Sequence, residues 1–93
     1  MDTHTTFEEA TDGRRLLKVT FEREGPESDT PVIEVVWQLD FPLGFSIKDS
    51  VPVLTWLSTT RTDTRKRIEL TPEENTIVQR VATEKAAEAV ENW

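Results

Sequence analysis

The chain has no cysteine, no tyrosine, a single histidine and only three glycines in 93 residues. Without cysteine there is no disulfide framework and no thiolate metal site, and a reducing compartment is the natural expectation. Three scattered glycines cannot build a Gly-rich phosphate loop. His4 lies near the start, so a multi-imidazole metal cluster or a histidine-assisted nucleophile would have to rest on this one side chain. No apolar run approaches the roughly 20 residues that span a bilayer. Met1 to Glu9 is polar and acidic, unlike a signal peptide with its basic start and apolar middle. The expectation is a cytoplasmic protein with no cofactor, no metal and no membrane association.

What the chain has instead is acid. Eighteen Asp and Glu stand against eleven Lys and Arg, a formal charge of −7. That balance disfavours free nucleic acid and anionic membranes as partners of the whole surface, and favours a protein with a basic surface. Solubility alone also explains an excess of this size. The charge is uneven. Residues 1–30 hold eight acidic and four basic groups, 31–60 three and one, and 61–93 seven and six. Arg61, Arg65, Lys66 and Arg67 form a local basic cluster interrupted by Asp63.

At this length the chain makes one domain, burying roughly 60–65% of its unfolded surface. Residues 1–13 show no sustained period and read as a flexible acidic arm, with 14–93 as a single domain. Leu16 to Glu24 alternates Leu17, Val19 and Phe21 with Lys18, Thr20 and Glu22, the period of a half-buried strand. Gly25 to Pro31 is a loop of turn formers. From Val32 to Phe41, residues Ile33, Val35, Trp37, Leu39 and Phe41 share one face. The reverse face keeps Val32 and Val36 beside Glu34, Gln38 and Asp40, as expected of a central strand. Val51 to Thr60 is rich in β-branched residues and reads as a strand with Pro52 at its beginning; a short helix capped by Ser50 is the competing reading. A turn at Thr62-Asp63 leads to a fourth expected strand, 64–70.

Thr71-Pro72-Glu73-Glu74 is a helix-start signal: Thr71 caps, Pro72 suits the first turn, and Glu74 completes a capping box. No Gly or Pro follows, so a helix is expected over about 72–92. Ile77, Val78, Val81, Ala82, Ala86, Ala89, Val90 and Trp93 lie on one side of it. The small residues of its second half allow close approach to a packing partner. The fold class is therefore α+β: an antiparallel sheet of three or four strands (about 16–24, 32–41, 51–60 and 64–70) with one C-terminal helix on one face.

No constellation points to catalysis. Glu34 and Asp40 share a strand face but are roughly 20 Å apart, too far for paired acid–base work. Two features point to binding. One is the sheet face away from the helix, where Val32, Val36 and Trp56 would form an uncovered apolar patch; most aromatics in so small a domain serve the core. The other is the basic hairpin Arg61, Arg65, Lys66 and Arg67, which also works as a solvated edge that resists aggregation. Glu22, Glu24, Glu27 and Asp29 supply an acidic surface. The chain resembles, in size and composition only, phage accessory proteins such as anti-CRISPR inhibitors, and no motif carries the likeness. The expected function is a small acidic, non-enzymatic protein-binding module, in its concrete version an inhibitor of a basic nucleic-acid-handling surface. The alternative is a homodimeric structural module paired through the exposed sheet face.

Overall fold

The computed structural model describes residues 2–23, 30–40 and 53–92, the last three by their backbone alone. Four strands precede one helix: β1 Thr3–Glu9, β2 Arg15–Glu22, β3 Val32–Asp40, β4 Val53–Arg61 and α1 Pro72–Asn92. The strands form one antiparallel sheet in the order β1-β2-β3-β4, a meander in which every neighbour in sequence is a neighbour in space. The fold is α+β, with the single C-terminal helix packed on one face of the sheet.

The period-2 pattern sets the register. Leu17 stands opposite Trp37, Val19 opposite Val35 and Phe21 opposite Ile33. These six are at most 2% exposed. From the helix, Val78, Ala82, Ala86 and Ala89 meet them, each at most 1% exposed and spaced four, four and three residues apart. Where the helix offers only methyl groups, its backbone approaches closely, and its nearest strands are β2 and β1. The β4 side of the same face is consequently the less covered half. Phe7, Leu54, Ile68, Leu70 and Val81 pack around the core as half-buried neighbours.

Three expectations need correction. Residues 3–9, read as part of an arm, form the edge strand β1, with Thr3, Thr5 and Phe7 opposite Phe21, Val19 and Leu17. The hairpin that brings them there turns at Thr11-Asp12-Gly13. Gly13 takes φ +89°, and its N–H donates to Ala10 O at 2.9 Å. That backbone angle suits glycine and matches the right-handed twist of the flanking strands. Asp12 steadies the turn by accepting from the Arg14 N–H at 3.1 Å and from Arg14 Nε at 2.7 Å.

Residues 64–70, expected as the fourth strand, touch the sheet through one isolated bridge, Thr60 to Arg67. Ile68 donates to Thr59 O and Arg61 to Lys66 O, and the chain then leaves the sheet edge for the helix. Ile68 and Leu70 pack against the core as half-buried neighbours on the way. The residue range 51–60 is strand rather than helix from Val53 onward. The readings placed on 24–29, 41–52 and Trp93 lie outside the described residues.

The helix begins as its sequence indicates. Thr71 N–H donates to Glu74 Oε1 at 2.9 Å, and Glu74 N–H donates to Thr71 Oγ1 at 3.2 Å, the reciprocal pair of a capping box. Glu74 also receives Arg23, at the end of β2, through Nε at 2.9 Å and Nη2 at 2.6 Å. Arg23 Nη2 further donates to Glu69 O at 2.9 Å. The two side chains are 24% and 13% exposed. One guanidinium therefore ties the sheet, the connecting segment and the helix start together.

Candidate protein-binding surface

The third correction concerns the apolar patch. The register between β3 and β4 slips by one residue between Val36 and Trp37: Val36 faces Ser58, and Trp37 faces Trp56. A strand's faces alternate with period 2, so one extra residue sends the rest of the strand to the other side. Trp56 therefore lies on the helix side of the sheet with Trp37, away from Val32 and Val36. Its indole Nε1 donates to Thr59 Oγ1 at 2.9 Å, and Thr59 stands opposite buried Val35. On the far face Val36 is only 7% exposed, beside Lys18 and Ser58 in register, and Val32 is half-buried. The three residues do not assemble into a patch.

A different surface takes shape. Val53, Trp56 and Leu57 are the exposed large hydrophobic residues of the described chain, at 57%, 47% and 37%. All three lie on β4, an edge strand with no charged residue between Val53 and Thr60. On the helix side, Trp56 borders a groove of about 590 Å3. Its floor includes Val35 and Thr59; Ile68, Leu70 and Pro72 form the apolar wall, and Gln79 closes the polar rim. The groove exists because the helix sits over β1 and β2 while the segment after Arg67 crosses to the helix start. The sequence offered one sign of it: an aromatic within the uncharged run from Val53 to Thr60.

The basic residues fall at one end of β4. Arg61 ends the strand, and Arg65, Lys66 and Arg67 follow it around the turn. Arg61 Nε donates to Asp63 Oδ1 at 2.7 Å, which holds the Asp63 carboxyl below its ordinary range. Arg67 stacks over the Trp56 ring, 5.7 Å from its centroid, and so closes one end of the groove. Arg65 turns the chain with φ +59°, its N–H donating to Arg61 O at 2.8 Å. An arginine at positive φ costs of order 1 kcal/mol relative to glycine, held here by the hydrogen bonds on either side.

The acidic surface is only partly described. Glu22 is exposed at the end of β2, opposite Val32, while Glu24, Glu27 and Asp29 lie outside the described residues. Glu22 lines a second hollow, of about 470 Å3, with Asp2, His4, Thr20 and Val32. Among the described residues no three His, Cys, Asp or Glu side chains group closely enough to hold a metal ion. No described helix is long and apolar enough to cross a membrane. No protein-family model, curated protein or solved structure matches the chain.

Proposed function

We propose that the protein acts by contact, as a non-enzymatic module that binds another protein. The observation that supports this reading is Trp56: a tryptophan about half exposed, beside a groove lined by Val35, Ile68 and Leu70, on a strand uncharged from Val53 to Thr60. Exposed tryptophan is costly to leave in water and is enriched where interfaces concentrate their binding energy. The partner's contribution is an apolar side chain seated in the groove. Its surroundings are basic, because the chain as a whole carries a net charge of −7, which steers such a partner and repels an acidic one. An inhibitor that occupies a basic nucleic-acid-handling surface is the version of this reading in which the charge serves function as well as solubility.

The test is retention of partners from host lysate on the immobilised chain, washed at low and high salt and identified by mass spectrometry. The expected result is one basic protein, retained by the parent chain, weakened by salt, and lost from Trp56→Ala. Retention that is indifferent to Trp56→Ala refutes the groove; an empty bait at low salt refutes the module.

A further inference from the structure

We propose that the groove beside Trp56 seats an extended peptide segment of the partner, in which an apolar residue has a carboxylate on one side and a cation on the other. The carboxylate meets Arg67 and the cation meets Glu69. This rests on the groove reading and deepens it, because it names the chemistry of the segment that enters.

One wall of the groove is dipolar. It follows the chain from Arg67 to Pro72, so it begins on a cation and meets an anion at Glu69. Arg14, Lys18, Arg23, Arg61 and Lys85 each hold a carboxylate at 3.2 Å or less. Among the described residues Arg67 holds none, and neither do exposed Arg65 and Lys66 before it. Glu69 is exposed too, and Arg23 takes only its backbone carbonyl, so its carboxylate holds no cation among the described residues. Resting over the Trp56 ring steadies the Arg67 guanidinium while its N–H groups stay without an acceptor. A carboxylate arriving there meets a donor fork already held in place, and less side-chain freedom is lost on binding.

The helix supplies a second argument, for a peptide backbone. Asn75 and Gln79 both line the groove, and neither side chain has a partner among the described residues. Each carboxamide can donate and accept, as a peptide group requires. They stand one helical turn apart, about 6 Å along the axis. Alternate residues of an extended chain are about 6.6 Å apart, so two of its main-chain groups can be bonded at once. Val35, Ile68 and Leu70 then receive the apolar side chain. The charges fix the direction, since a reversed segment would set its carboxylate against Glu69 and its cation against Arg67. The cation at Glu69 belongs to the basic surroundings that a chain of charge −7 favours, and the carboxylate at Arg67 sets the register within them. Single-stranded nucleic acid fits this groove less well. Glu69 and the overall charge repel its phosphates, and Trp56 is the single exposed tryptophan or phenylalanine among the described residues.

A library of random peptides displayed on yeast and selected with the intact chain tests this. The expected result is enrichment of an apolar residue with Asp or Glu on one side and Lys or Arg on the other, in one constant order. A synthetic peptide of the enriched sequence should bind Arg67→Gln about three- to tenfold more weakly, and Trp56→Ala at least about tenfold more weakly, by fluorescence polarisation. Selection on Arg67→Gln should keep the apolar residue and lose the acidic preference, and selection on Glu69→Gln should lose the basic one. Thermal unfolding of each variant establishes that it is folded. Enriched peptides without either charge preference, but still dependent on Trp56, overturn this inference and leave the groove reading standing. Enriched peptides that bind Trp56→Ala as tightly as the parent overturn both. An absence of enrichment overturns the peptide segment alone, because lysate retention judges the groove separately. Displacement of the peptide by single-stranded oligo-dT also overturns the inference and makes the occupant a phosphate chain.

Discussion

Arg23→Met asks how much of this fold hangs on one guanidinium. The substitution keeps an unbranched stem and deletes the bidentate contact to Glu74 and the bond to Glu69 O. A solvent-exposed ion pair contributes 0–1 kcal/mol, and breaking a fully buried one costs about 3–5. With the partners 24% and 13% exposed, this pair falls between, at about 2–3 kcal/mol. For a domain this small that lowers the melting temperature by roughly 10–20 °C. Glu74→Gln separates two roles, since glutamine can still complete the capping box while losing the charge that meets Arg23. A cycle of Arg23→Met, Glu74→Gln and the double variant, followed by urea unfolding, should give a coupling of about 1–2 kcal/mol. The Arg23 hydrogen bond also holds the Glu74 carboxyl below its ordinary value of 4.5, against the opposing effect of its burial. A carboxyl depressed in the folded state adds stability that is complete above the unfolded value and fades as pH falls through the lower, folded one. The cost of Arg23→Met should therefore shrink in acid below about pH 4.5. A cost under about 0.5 kcal/mol at neutral pH, or one that does not change in acid, refutes the assignment of this pair as the tie between sheet and helix.

Arg65→Gly should leave stability unchanged or raise it by up to about 1 kcal/mol, while Arg65→Val should lower it, because only glycine takes φ +59° without strain; chemical unfolding of both variants decides. Ala82, with no exposed surface, sits where the helix is pressed onto the sheet, so Ala82→Leu should cost about 1–3 kcal/mol by overpacking, read from the same unfolding curves. Phe7→Ala should destabilise the chain by about 1–2 kcal/mol, less than the 3–5 of a fully buried phenylalanine, since Phe7 is half-buried against the core. Hydrogen exchange should show the β1 amides bonded to β2 protected, and free exchange throughout 3–9 would return that segment to the status of an arm.

Much of the framework was legible. The apolar alternation of Leu17, Val19 and Phe21 and of Ile33, Val35, Trp37 and Leu39 names the buried face of β2 and β3 almost residue by residue. Thr71 to Glu74 names the helix start, and the Ala spacing names its packing side. β1 was written more faintly. Its single bulky residue, Phe7, gives little period, and the stronger signal was the Asp12-Gly13 turn that folds it back on β2. The position of Trp56 was not legible. A one-residue slip in pairing leaves no mark on hydrophobic alternation within β4, yet it decides which side of the sheet the indole occupies.

Local chemistry, then, determined the elements: where strands alternate, where the helix is capped, where charge gathers and where it is missing. These follow from neighbours a few residues apart, whose sterics and hydrogen bonds act in any surroundings. The tertiary structure alone decided the partnerships. It set β1 rather than 64–70 as the fourth strand, joined Arg23 to Glu74 across 51 residues, and turned Trp56 toward the helix side to border a groove. Such choices depend on the summed packing of the whole sheet and helix, where exchanging one edge strand for another, or slipping one pair, changes burial on both faces at once.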